Sequence, residues 1–306
     1  MRTIHKAAAA ALIVMVLILL IHVMYTNIVA ELKQREQEET QTTTTQNNRI
    51  VLVVNKTIEE WKKIYRDYII YSDKMLRKHN AVGLDYNLSR LLQIIDNANS
   101  SVIVKKFTLF DDVVNEYIVL EVVIPKFVIE LYQHDAPSYT TDPIIKEIAN
   151  ILKRYIKEYP SNYTEYRLAY LILQIASQIH YKWRLKAFNL LLEIVYDQGD
   201  CETKSELVIN LAASSGLWSA DLIARKCEAN GFPTDHEYVA IAIDNSPPWL
   251  KGSFNFTWKD HVFYIADVAV SHDYPRFPIE PYPCSEVENI IAPYWEKTYF
   301  IGKPLW

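Results

Sequence analysis

Gly199-Asp200-Cys201-Glu202 runs straight into an amphipathic helical pattern, and its reading decides the rest of the chain. A helix start favours negative charge, and the thiolate is the reactive form of cysteine. Downstream lie His236, in Asp235-His236-Glu237-Tyr238-Val239-Ala240-Ile241, and Asp267, in Phe263-Tyr264-Ile265-Ala266-Asp267. A cysteine nucleophile needs a base to take its proton and a carboxylate to orient the imidazole. Cys201, His236 and Asp267 offer these groups in that order. Asp200 is the expected helix cap, and Leu207, Val208 and Leu211 make the buried face. Cys201 lies about two turns before Val208, on the same side. Ser214-Ser215-Gly216 ends the helix. The spans 221–226, 236–244 and 260–270 then read as strands of an antiparallel sheet against which that helix packs.

Working upstream, 187–196 reads as helix or turn, and 163–181 as a helix with the stripe Leu168, Leu171, Ile172, Ile175 and Ile179. Asp142 is an expected N-cap with Pro143 at the first helical position. Ile144, Ile148, Ile151, Leu152 and Tyr155 make the buried stripe that follows. Three β-branched and aromatic runs, 102–104, 117–123 and 127–132, read as strands, with Pro125 marking an edge or turn. A helix is expected over 57–79, where Trp61, Ile64, Tyr65, Tyr68, Tyr71 and Met75 repeat at helical spacing. A second, over 85–98, would be capped by Asp85.

Composition bounds the chemistry. The chain has 306 residues, 50% of them hydrophobic and 23% charged, as in a globular protein with a sizeable core. A net charge of -5 and the lack of a basic stripe give no support for nucleic acid as a partner. Neither G-x-x-x-x-G-K-[ST] nor G-x-G-x-x-G occurs, which argues against nucleotide sites of those types. The cysteines are Cys201, Cys227 and Cys284, with no C-x-x-C pair for a zinc ribbon or a thioredoxin-type site. A metal site on Cys201, His236 and Asp267 would lack a close-spaced ligand pair, and no calcium loop of EF-hand type is visible. No cofactor and no metal are expected. Outside the cell, Cys227–Cys284 would be the natural disulfide, leaving Cys201 reactive; the other reading is three reduced thiols.

The amino-terminal end predicts a membrane anchor. Residues 7–25 carry no charge and apolar character continues to Ala30, enough to cross a bilayer and longer than a signal peptide's apolar region. Ile28-Val29-Ala30 is the competing cleavage site. Arg2 and Lys6 on one side nearly balance Lys33 and Arg35 on the other. Asn-x-Ser/Thr occurs at Asn55, Asn87, Asn99, Asn162 and Asn255, an excess that suits an externally exposed domain. The expected organisation is therefore a cytoplasmic terminus (1–6), a single-pass signal anchor (7–30), a polar stalk (31–49) that includes Thr42-Thr43-Thr44-Thr45, a helical and strand region (50–135), a catalytic domain (136–272), and a Pro- and aromatic-rich extension (273–306). The lipid bilayer is then a partner, and the large domain is extracytoplasmic.

The layout resembles the transglutaminase-like superfamily, in particular its archaeal and bacterial members. Those carry a Gly-Asp-Cys-Glu-Asp type motif, a His opening a Val/Ala-rich strand, and an acid after a Tyr-rich strand. The matching residues are Gly199-Asp200-Cys201-Glu202, His236 with Val239-Ala240-Ile241, and Tyr264-Ile265-Ala266-Asp267. Ile124-Pro125-Lys126, Thr141-Asp142-Pro143 and Ile179-His180-Tyr181 extend the likeness upstream, so that it covers roughly 107–270. Thr203 departs from the family, which often has an acid there, and Val268 stands where Thr is usual. Loss of the acid should ease thiolate formation, while Asp200 and Glu202 oppose it, leaving the His236 imidazolium as main stabiliser.

The resemblance implies an α+β fold with a papain-like core, a helix bearing Cys201 packed on an antiparallel sheet, here preceded by a transmembrane helix. It implies a thiol enzyme acting on amide bonds of a protein or peptide substrate through Cys201, His236 and Asp267. Water as acceptor gives a peptidase or amidase; a lysine amine gives a cross-linking transglutaminase. The oxyanion would take the Cys201 N–H and one donor from Tyr181, Trp183 or Gln178. His180, His261 and His272 are competing bases, and Asp260, Asp244 and Asp273 competing acids. The reading from another class is a surface binding module with a vestigial triad.

Overall fold

Alternating burial along three strands builds the first layer. In a computed structural model, which describes residues 49–79, 86–182, 189–229, 232–250, 253 and 255–269, β1 (Ile50–Val54), β2 (Val102–Asp111) and β3 (Glu116–Pro125) form a sheet in the order β1-β3-β2. β3 lies parallel to β1 and antiparallel to β2. Ile118, Leu120, Val122 and Ile124 point inward at period two, while Tyr117 is exposed. The parallel β1–β3 pair needs a long crossover. Helices α1 (Ile58–Lys78) and α2 (Leu88–Asp96) lie within it. Thr57 and Glu60 close a capping box at the start of α1, with Thr57 N–H donating to Glu60 Oε2 at 2.7 Å. Asn87 caps α2 by accepting from the Arg90 N–H at 3.1 Å; Asp85, the expected cap, lies outside the described residues. On α1 the buried row is Trp61, Tyr65, Tyr68 and Ile69, and Tyr71, one of the residues at helical spacing, is exposed.

The span 127–132, expected as a strand, is instead helix α3 (Lys126–Gln133). Phe127, Val128, Ile129, Leu131 and Tyr132 are buried while Lys126, Glu130 and Gln133 are exposed at helical spacing; within 127–132 Glu130 is the one polar residue, too few to fix the period. Pro125 ends β3 and serves as the helix N-cap position. Asp142 caps α4 (Pro143–Glu158), accepting from Ile144 N–H at 2.7 Å, with Pro143 at the helix start. Helix α5 (Thr164–Ser177) stops before residue 181, because His180–Tyr181 form strand β4, paired in parallel with β5 (Gln198–Gly199). Helix α6 (Leu190–Tyr196) leads into β5. α7 (Cys201–Ser215) ends at Gly216, whose φ of 86° a side chain would resist.

The second layer is antiparallel: β6 (Ser219–Ala229), β7 (Phe232–Ala242), β8 (Asn255–Trp258) and β9 (His261–Ala266), in the order β6-β7-β9-β8. β8 was not foreseen, and its turn into β9 uses Lys259 and Asp260 with φ of 46° and 69°. Two positive φ values in a two-residue hairpin loop match the right-handed strand twist, so Asp260, expected in a strand, belongs to a turn. Val239 and Ile241 face α7 and join the main core; Ala240, Ala242 and Phe263 form a small cluster on the other face. α7 packs on α4, α5, β6 and β7, placing the Cys201 helix at the centre of the fold. The main core runs from Val54 to Val268 and so draws on both sides of the expected 135/136 division.

Two devices join the layers. β2 is an edge strand, and Gln174 and Gln178 on α5 stand in for the missing neighbour. Gln174 accepts from Phe110 N–H at 2.7 Å and donates to its carbonyl at 2.8 Å; Gln178 does the same to Thr108 at 3.1 and 2.9 Å. At the end of β2, Asp111 receives Arg167 Nε and Nη2, both at full burial, and the Tyr155 hydroxyl. Among the described residues no helix is long and apolar enough to cross a membrane. The expected segments 1–6, 7–30 and 273–306, all of the stalk but residue 49, Trp183, His272, Asp273, Cys284 and the Cys227 side chain lie outside them.

Candidate active site

Cys201 is the first residue of α7, where the backbone N–H has no partner within the helix. Asp200 Oδ1 accepts from the Thr203 N–H at 3.0 Å, and the Asp200 N–H donates back to Thr203 Oγ1 at 3.1 Å, which holds the first turn. The thiol is free and partly exposed.

His236 and Asp267 come from neighbouring strands of the antiparallel sheet. β7 pairs with β9 so that Val239 opposes Ala266, which brings His236 and Asp267, one residue past the end of β9, to the same end of the sheet. His236 Nε2 lies 2.9 Å from Asp267 Oδ2. The Asp267 side chain is only 1% exposed, and its Oδ1 accepts from the Ala269 N–H at 2.9 Å. His236 is also hydrogen-bonded to Cys201. With Nε2 given to Asp267, Nδ1 is the nitrogen left for the thiol. Burial opposes the charge on His236, but the Asp267 and Cys201 hydrogen bonds and charges outweigh it and raise its pKa to about 9. The Tyr238 ring meets the imidazole edge-on, with centroids 4.5 Å apart.

The rival groups are engaged elsewhere. His180 Nδ1 lies 2.8 Å from Asp197, and His261 Nδ1 lies 2.7 Å from Asp244. Gln178, one of three candidate oxyanion donors, spends its amide on the edge of β2. Tyr181 stands beside the motif: β4 aligns it with Gly199, and the Lys182 N–H donates to Gly199 O at 2.8 Å. Burial raises the Tyr181 phenol pKa, and so do the charges of Cys201, Asp200 and Asp267.

Beneath the site lies a buried polar layer that sequence reasoning missed. Glu193 is fully buried, and burial pushes its carboxyl up to about 8. Thr203 Oγ1 lies 3.0 Å from both Glu193 Oε1 and Asp200 Oδ1. A hydroxyl can donate to either carboxylate; an acid at position 203 would put a third carboxylate there. A Cβ on Gly199 would lie 1.6 Å from Glu193 Oε1, so the glycine of the motif makes room for this carboxyl. Lys204, also fully buried, donates from Nζ to the Ile179 carbonyl at 2.9 Å. The sequence signal for Glu193 was a lone charge in the apolar run Leu190-Leu191-Leu192-Glu193-Ile194-Val195. Lys204 gave none, since a lysine in a helix's first turn ordinarily reaches solvent.

An acidic wall lies on β6 and β7. Burial and the hydrogen bond it donates to Asp221 keep the Glu237 carboxyl protonated well above its usual range. Glu206 is raised to about 7 by burial and by Glu202, Asp221 and Asp200. Among the described residues no group of His, Cys, Asp and Glu is arranged to hold a metal ion. A cleft of about 530 Å³ between α1 and α4, lined by Trp61, Tyr71 and Lys146 among others, contains none of the three candidate catalytic residues. Comparison of the chain with protein-family models, with curated proteins and with solved structures found no match.

Proposed function

We propose that this chain is a membrane-anchored thiol enzyme of the transglutaminase-like type that cleaves or transfers amide bonds of proteins or peptides. The observation that carries the reading is His236 bridging Cys201 and a buried Asp267, with each group supplied by a separate element. In this reading the Cys201 thiolate adds to the amide carbonyl carbon, and the oxygen becomes an oxyanion near the Cys201 N–H and Tyr181. The imidazolium of His236 gives its proton to the leaving nitrogen as the C–N bond breaks, leaving a thioester. Water, deprotonated by His236, then adds to the thioester and releases the acid and the thiol. Asp267 holds the ring in the required tautomer throughout. Hydrolysis is the preferred outcome; a lysine amine in place of water would make a cross-link. Residues 7–30 are the proposed anchor.

The pH dependence follows from His236. Its pKa of about 9 exceeds the ordinary 6.5, so the charged ring stabilises the fold below about pH 6.5, and this contribution is lost as pH rises through 9. Amide cleavage should fall over the same alkaline limb, because the neutral ring has no proton for the leaving nitrogen. Iodoacetamide labelling of the intact protein, read by mass spectrometry, provides the test. Cys201 should alkylate near neutral pH at least about tenfold faster than a free thiol, and His236→Ala should remove the advantage. A rate equal to that of a free thiol and unchanged in His236→Ala would leave a binding module with a vestigial triad.

A further inference from the structure

Lys204 is three residues after Cys201, in the first turn of α7, and fully buried. Two rules oppose that placement: a helix start disfavours a cation, and burying an ammonium is costly unless it is paired. Burial lowers its pKa to about 8, against the charges of Glu193, Asp267 and Asp197. The side chain makes one specific bond, from Nζ to the Ile179 carbonyl at 2.9 Å. Ile179 immediately precedes β4, and β4 carries Tyr181 into register with Gly199, two residues before Cys201. The Ile179 N–H is held too, by Ala176 O at 3.2 Å, so the short link between α5 and β4 is fixed at both backbone groups. One buried ammonium thus ties the helix that starts at Cys201 to the strand that bears Tyr181. Asp267 and Asp197 supply the negative field that makes the buried charge tolerable.

We propose that Lys204 is a positioning residue of the Cys201 site: through the Ile179 carbonyl it sets where Tyr181 stands relative to the thiol, and so places the Tyr181 hydroxyl to stabilise an oxyanion. This rests on the amide-bond reading above. Lys204 touches no substrate and acts through Tyr181.

Two probes separate placement from thiol reactivity. Iodoacetamide needs only the thiolate. A peptide aldehyde needs thiolate addition as well, with a new C–S bond and an oxyanion that must be stabilised before it takes up a proton. Both are applied to the full chain as Lys204→Met, Tyr181→Phe and the double variant, each first shown to melt in one cooperative transition. Each single variant should lose aldehyde affinity on the order of 10²-fold, the double should lose no more, and iodoacetamide rates should stay within about 3-fold. Should Lys204→Met not fold, Lys204→Gln keeps an N–H donor, and a smaller loss of the same kind is expected. Unchanged aldehyde affinity in the Lys204 variant would overturn the inference, as would multiplied losses in the double variant or parallel loss of both probes. A wild-type protein that takes iodoacetamide only at the free-thiol rate and no aldehyde overturns the amide-bond reading, and this inference with it.

Discussion

Single residues around Cys201 are chosen for what they put beneath it. Glu193 has a carboxyl pKa raised to about 8 from 4.5, because burial disfavours its charge. Its neutral form therefore stabilises the fold fully below pH 4.5, and that contribution is lost as pH rises through 8. Glu193→Gln should leave stability at low pH unchanged and raise it by about 1–3 kcal/mol on the alkaline side. Denaturant unfolding at both pH values checks this; an equal change at the two would sink it. Cys201, His236 and Asp267 were legible in the sequence because each carries a motif of its own. Glu193 and Lys204 were not, because their roles rest on long-range contacts: Glu193 reaches Thr203, and Lys204 reaches the Ile179 carbonyl 25 residues upstream.

Elements show where periodicity suffices and where it does not. Caps and stripes were readable: Asp142 with Pro143 opens α4, Asp200 opens α7, and Gly216 closes it. These signals are local, so the chain carries them whatever surrounds it. The segment 127–132 reads as a strand because Glu130 is its one polar residue; the exposed face of Lys126, Glu130 and Gln133 shows only over the whole of α3, and packing decides between helix and strand. The joint between β2, α4 and α5 is likewise tertiary. Arg167 and Asp111 are both fully buried, with Tyr155 and the Tyr159 carbonyl completing their bonds. Arg167→Met would leave an unpaired buried carboxylate and should cost about 3–5 kcal/mol, read as a fall in thermal midpoint. Adding Asp111→Leu should recover part of that loss; no recovery would show that packing of the Arg167 stem, rather than its charge, holds the joint.

At the scale of the whole molecule, one core joins the mixed three-stranded sheet, the helices and the antiparallel sheet, with α7 at its centre. All five asparagines of the Asn-x-Ser/Thr sites are exposed. That accessibility fits the proposed extracytoplasmic domain. Protease added to intact cells should release fragments from 50–269, and full protection of that region would reverse the proposed orientation. The sequence by itself determined the helix starts, the alternating strands, the apolar amino terminus and the order of thiol, imidazole and carboxylate, since each is written in neighbouring residues. Only the tertiary structure decided that Asp267, rather than Asp244 or Asp260, meets His236, because strand register sets which residues share one end of a sheet. It alone decided that Gln178 serves an edge strand while Tyr181 pairs beside Gly199, and that Glu193 and Lys204 underlie the site. Those assignments depend on which side chains the fold buries together, and no local pattern encodes that.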